Sequence, residues 1–181
     1  MRLRFPRFLA IALLAMPVAH GQTLPNQPVT QLDLDRYMGQ WHEIAHLPIV
    51  FQRQCVSDIT ATYTLTKDGQ IQVLNACRTR DGTRDSASGM ARPARNGLPG
   101  ALQVRFAPAW LGWLPWVWAD YWVLEVDPDY RWAVVGSPSR KYLWILSRSP
   151  SMSRVQFDAI RARAAMRGYV LDSLQTDAPL L

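Results

Sequence analysis

The sequence is poor in the side chains on which enzymes depend. Of its 181 residues only three are histidine and two are cysteine. No C-x-x-C pair or H-x3-H cluster offers zinc-ligand spacing. A G-x-S-x-G elbow, a phosphate loop, a dinucleotide fingerprint and paired carboxylates are likewise missing, so hydrolytic, nucleotide-dependent and redox chemistry lack their usual signatures. The expectation is a protein that is not an enzyme and uses neither metal nor cofactor. Dense basic runs are missing too: the arginines are scattered, which argues against a nucleic-acid partner. No apolar run reaches the roughly 20 residues that span a bilayer, and there is no internal repeat. Charged residues make up 19% and apolar residues 49%, the balance of a folded domain with one core.

Residues 1–21 read as a cleaved secretory signal. "MRLRFPR" is basic, "FLAIALLAMPVA" is a short apolar run, and "AHG" ends in small residues at a cleavage site after Gly21. No cysteine follows to take a lipid anchor. Removing Arg2, Arg4 and Arg7 lowers the formal charge from +6 to +3. A soluble protein of an oxidising compartment is expected, the periplasm, at most peripheral to the outer membrane. There an even cysteine count favours a Cys55–Cys77 disulfide over two buried thiols. Residues 22–31 read as a flexible leader, and 32–181 as the folded domain.

Within that domain short strands follow one another. The first is "MGQWHEIAHL". "SDITATYTL" alternates apolar and polar residues, "KDG" supplies a hairpin turn, and "QIQVLNAC" returns. Further strands are read at about 84–92, 101–107, 119–126, 130–136 and 142–148. Eight sequential strands with mostly short links make an up-and-down antiparallel meander, which removes its edges by closing into a barrel. A helix follows, with Ser153 and Gln156 as a capping box, Val155, Ala159, Ile160 and Ala164 as its apolar stripe, and Gly168 as its stop. "YVLDSL" beyond it can pair as a short extra strand. The fold class is all-β: an eight-stranded barrel with one C-terminal helix packed outside.

This order, with three short motifs, resembles the lipocalin family. "YMGQWHEIAHLP" (37–48) is similar to its Gly-x-Trp motif, in the form found in bacterial outer-membrane lipocalins and apolipoprotein D relatives. "EVDPDYRWAVVG" (125–136), with Asp127 and Tyr130, is similar to the second motif. "YLWILSR" (142–148) is similar to the third. The resemblance implies that Trp41 plugs the narrow end of the barrel, that Arg148 stacks over it while donating to backbone carbonyls, and that Gly39 permits the close approach. It further implies a non-catalytic carrier or scavenger of fatty acids, lysophospholipids or similar amphiphiles. A periplasmic protein-interaction module and a tetrapyrrole or pigment binder are the alternatives. The chain departs from the pattern at His42, where an aromatic is usual, in its lack of an anchor cysteine, and in a longer, Trp-richer loop before residue 119.

That loop holds the chief puzzle. Five of the eight tryptophans lie in "AWLGWLPWVWADYW" (109–122). Gly112, Pro115 and Asp120 interrupt any span, and strand order puts residues 108–118 at the barrel mouth. Trp110, Trp113, Trp116 and Trp118 are read as an apolar lip that covers a ligand and touches a membrane surface transiently, against a loop that merely closes its own pocket. The expected ligand-lining residues are Tyr63, Val104, Phe106, Trp110, Trp113, Trp118, Trp122, Tyr142 and Trp144. His42 and His46 are read as surface or partly buried residues, about 13 Å apart along a strand. Glu43 is read as an interior carboxylate needing a partner near the closed end.

Overall fold

The computed structural model describes residues 23–95 and 97–181, so the signal call on residues 1–21 lies outside the described residues. A single helical turn α1 (Leu34–Tyr37) precedes strands β1 (Gly39–His46), β2 (Cys55–Leu65), β3 (Ile71–Thr79), β4 (Arg84–Pro93), β5 (Ala101–Arg105), β6 (Ala119–Val126), β7 (Trp132–Gly136) and β8 (Leu143–Ser147). Helix α2 (Arg154–Met166) and a two-residue strand β9 (Gln175–Thr176) complete the order. Each strand from β2 to β8 pairs antiparallel with the next, β8 pairs with β1, and β1 pairs back with β2, closing the barrel. The expected eight-stranded barrel with an outside helix is therefore the fold.

Alternation divides each strand between two cores. The inner core gathers Trp41, Tyr63, Val73, Leu102, Tyr121 and Val123. The outer core lies between α2 and the backs of β1, β6, β7 and β8, and includes Ile44, Leu124, Val134, Ile145, Phe157 and Ile160. Ser153 caps α2 by accepting from the Gln156 amide (3.3 Å), and Gly168 adopts φ +86° after it. The buried stripe of α2 is Phe157, Ile160 and Ala164, whereas Val155 is exposed. The helix is thus rotated from the expected stripe so that the larger aromatic is buried.

Three further expectations are corrected. Residues 23–31 are not a loose leader. Leu24 N–H donates to Met166 O, Val29 N–H donates to Val123 O, and Gly100 N–H donates to Val29 O, so the segment is hydrogen-bonded to the barrel and helix. The extra strand forms at Gln175–Thr176 instead of "YVLDSL", because Tyr169 and Leu171 are committed to the outer core. The fifth strand ends at Arg105, which leaves Phe106 at the head of the Trp-rich loop.

Candidate functional site

The closed end is built as an interlocked plug. Trp41 is fully buried, and its Nε1 donates to Tyr37 O at 2.9 Å. The Arg148 guanidinium lies 3.7 Å from the Trp41 ring centroid and donates to the carbonyls of Gln40 (2.7 Å), Arg36 and Met38 (both 2.8 Å). These carbonyls end α1 and open β1, so one planar cation caps a helix, pins a strand and covers an indole. Gly39 has φ +94°, and a Cβ there would meet the Arg148 guanidinium at 3.3 Å. Asp127 accepts from the side chain of Arg131 and from the Asp129 and Arg131 amides, and these donors hold its carboxyl below the usual range. Tyr130 Oη accepts from Asp33 N–H at 2.8 Å, tying that turn to α1.

Above the plug lies a floor of three phenols. Tyr121 Oη is 2.8 Å from both Tyr37 Oη and Tyr63 Oη. Burial pushes all three phenols up, Tyr63 to about 12, so each stays neutral. Three O–H groups share two hydrogen bonds, which leaves one hydrogen for a further acceptor.

From this floor a cavity of about 510 Å³ opens upward, within the roughly 300–1,000 Å³ common for small-molecule sites. Tyr63, Val104, Phe106, Tyr142 and Trp144 line it. The Tyr142 and Trp144 rings stack with centroids 6.1 Å apart. Phe106 lies against Gly89, where a Cβ would come within 2.8 Å of its ring, so the glycine makes room for the aromatic wall. Cys55 and Cys77 also face the cavity and are joined by a disulfide.

The tryptophans divide into three groups. Trp122 lies on the opposite face of β6 from Tyr121 and Val123 and packs on the outer core; it does not line the cavity. Both faces of that strand are apolar, so composition could not orient it. Trp118 does not line the cavity either, but anchors the loop. Its Nε1 donates to Gly112 O (2.8 Å), and the guanidiniums of Arg92 and Arg105 lie 3.8 and 5.1 Å from its centroid. Trp110, Trp113 and Trp116 are 73%, 79% and 76% exposed. Trp110 and Trp116 project from two short 3-10 turns (Ala109–Leu111 and Pro115–Val117) at the mouth and Trp113 from the link between them; none of the three lines the cavity, while Val117 and Ala119 beside them reach its wall.

One polar cluster was not legible in the sequence. A β-bulge at Ile44 breaks the alternation of β1: Glu43 pairs with Leu146 and Ala45 with Ile145. The extra residue returns His46 to the side of Glu43. His46 Nδ1 lies 2.9 Å from Glu43 Oε1 and 2.7 Å from Asp177 Oδ2, on the segment following β9. Gln52, from the loop between β1 and β2, donates to Glu43 Oε1 at 2.6 Å. Glu43 therefore ties toward the mouth rather than the closed end. Burial works to lower the His46 pKa, but hydrogen bonds and charge from Asp177 and Glu43 outweigh it and raise it to about 9. Burial raises Glu43, against the pull of His46. These three are also the one group among the described residues whose donor atoms lie close enough to share a metal. The hydrogen-bond distances from one nitrogen to both carboxylates are those of a proton-bridged ion pair.

Comparison with known proteins agrees with this geometry. The model of the lipocalin-like domain family matches residues 32–179. Temperature-induced lipocalin-1 of Arabidopsis thaliana is 43% identical over 157 residues, covering 83% of each chain. The outer membrane lipoprotein Blc of Escherichia coli (strain K12) is 34% identical, over 90% of this chain and 85% of that protein. Mouse (Mus musculus) apolipoprotein D is 32% identical, over 93% and 92%. Among solved structures, insecticyanin of the tobacco hornworm Manduca sexta superposes with a TM-score of 0.65 at 22% identity, over 88% of this chain and 87% of that one, a likeness of fold. A closed barrel with its Trp–Arg plug, matched along nearly its whole folded length, belongs to the lipocalin family.

Proposed function

We propose that the protein is an exported, non-catalytic carrier or scavenger of single-chain lipids or similar amphiphiles, held with the acyl chain inside the barrel. One observation carries this reading: a single-mouthed cavity of about 510 Å³ whose lower walls are Tyr63, Val73, Val104 and Leu146. Each methylene moved from water to such walls contributes roughly 0.8 kcal/mol, so a chain needs few polar contacts to bind. Two relatives are named as an outer-membrane lipoprotein and an apolipoprotein, which supports a lipid ligand and a periplasmic setting.

Trp110, Trp113 and Trp116 form the lip of this carrier and touch the membrane from which ligand is taken. An indole combines an apolar body with one donor and favours the bilayer interface. Trp118 holds the loop in place without sharing that role. None of the described helices is long and apolar enough to cross a membrane.

Native mass spectrometry of protein purified from its own periplasm tests the carrier reading. A co-purified acyl mass is expected. A coloured ligand would instead establish a pigment binder, and an empty barrel with a bound protein an interaction module. For the lip, Trp113→Ala with Trp116→Ala should weaken vesicle binding about tenfold or more. Unchanged vesicle binding and unchanged ligand affinity would remove the lip from the account.

A further inference from the structure

Among the described residues no basic side chain lines the cavity of this basic protein. Its charged lining residues among the described residues are all carboxylates: Glu43 in the wall, paired there with His46, Asp85 toward the mouth, and Asp120, whose side chain shares the outward face of β6 with Trp122. The whole sequence carries six more positive than negative groups, and three more once the residues read as a signal are removed, so an anionic lining is not a by-product of composition. Several arginines near the mouth are occupied elsewhere. Arg78 pairs with Asp58 at 2.7 Å, Arg105 donates to Pro108 O and faces Trp118, and Arg140 donates to Arg167 O. Arg53, Arg80, Arg84 and Lys141 are exposed at the same end, but none of them lines the cavity.

Asn75 adds an acceptor. The Asn75 side chain lines the cavity, and its Oδ1 is buried without a donor. Gln52 and Gln54 turn their amide hydrogens onto Glu43 and Asp85, respectively, so these donors already serve the protein's own carboxylates. Aromatic faces complete the wall, with Tyr142 stacked on Trp144 and Phe106 also in the lining. Carboxylates, a vacant carbonyl and aromatic rings are the surroundings that attract an ammonium group and repel a carboxylate.

We infer that the preferred ligand carries a positively charged ammonium head on a single hydrocarbon chain, and that free fatty acids are disfavoured. The inference rests on the carrier reading and narrows it. The ammonium would lie between Asp85 and the Tyr142–Trp144 pair, with the chain running down past Val104 toward the phenol floor. The same head-group chemistry can come from a free long-chain amine or from the choline end of a zwitterionic lysolipid.

Equilibrium titrations of the full folded chain at neutral pH with dodecylamine, dodecanol, dodecanoate and dodecylphosphocholine, each below its micelle concentration, test this. Dodecylamine is a cation at that pH, because unperturbed alkylammonium groups titrate near 10.4. It should bind at least about tenfold more tightly than dodecanoate, with dodecanol between them. Asp85→Asn, at an exposed position that does not endanger folding, should bring the amine down toward the alcohol. Phosphocholine binding at the level of the amine assigns the head to a lysolipid, and binding at the level of the alcohol assigns it to a free amine. Dodecanoate binding as well as or better than dodecylamine overturns the inference, as does an amine preference unchanged in the Asp85→Asn variant. Failure of all four to bind overturns the carrier reading itself.

Discussion

Replacing Arg148 isolates the closure of the narrow end from everything at the mouth. Its guanidinium stacks 3.7 Å from the Trp41 centroid and donates three bonds of 2.7–2.8 Å to the carbonyls of Arg36, Met38 and Gln40. A cation–π contact at a partly exposed site contributes about 1 kcal/mol. Net hydrogen bonds contribute about 1 kcal/mol each, reduced here because water can reach part of the side chain. Arg148→Ala should therefore cost about 2–4 kcal/mol, measured by urea unfolding followed through tryptophan fluorescence. For a domain of this size each kcal/mol lowers Tm by about 2–4 °C, giving a drop of about 4–16 °C. Arg148→Lys should recover less than half of the loss, because an ammonium has no planar face to lay on the indole and no fork to span three carbonyls. Ligand affinity should stay within about twofold, since the plug is separated from the cavity by the phenol floor. A loss below about 0.5 kcal/mol, or full rescue by lysine, would refute the claim that planar stacking and multiple donation hold this end closed.

Other sites give independent tests. Gly136→Ala would drive a methyl into the Tyr169 hydroxyl, which is hydrogen-bonded to both the N–H and C=O of Ser137; a loss of about 1–3 kcal/mol is expected in thermal melts, and an unchanged Tm would show that the helix docks otherwise. Converting Cys55 and Cys77 to serine opens a link across 22 residues and should cost about 3 kcal/mol, read as a shift in urea midpoint; no shift contradicts a stabilising bond. The ion cluster predicts a pH dependence: the folded His46 pKa of about 9 lies above its ordinary 6.5, so its contribution is complete below about pH 6.5 and is lost as pH rises through 9. Chemical unfolding of the wild type minus His46→Gln, from pH 6 to 10, should show the difference shrink with rising pH; a difference that grows would reverse the assignment.

The barrel was legible because its information is local and repeated. Alternation in "SDITATYTL", the Asp-Gly turn at 68–69 and the short links each specify a hairpin by themselves, and closure follows from the need to leave no edge. Tyr63, Val104 and Phe106 were set on the inward face by the same alternation, whereas strand 142–148 is apolar on both faces and alternation left the side of Tyr142 and Trp144 open. It failed where alternation breaks or carries no information. The bulge at Ile44 inserts one residue and turns His46 onto Glu43, and no composition signal marks such an insertion. Asp177 joins them from 131 residues away, a distance that periodicity cannot bridge. Trp122 lies on a strand apolar on both faces, so its side was decided by the packing of α2. In the Trp-rich loop, Gly112 and Pro115 signalled irregular backbone, but only the fold separates the anchoring Trp118 from the exposed Trp110, Trp113 and Trp116.

The central claim is that an amphiphile binds inside the barrel, and obstruction of the interior tests it most directly. Ala87 lines the cavity from β4, opposite Asn75 of β3, so Ala87→Trp places an indole in the path of the chain. Titration of wild type and variant with the twelve-carbon ligand that binds best should show at least a tenfold loss of affinity, while the variant retains a cooperative melt. Equal affinity in a variant that folds as well as the wild type would contradict the account and move the ligand to the outer surface.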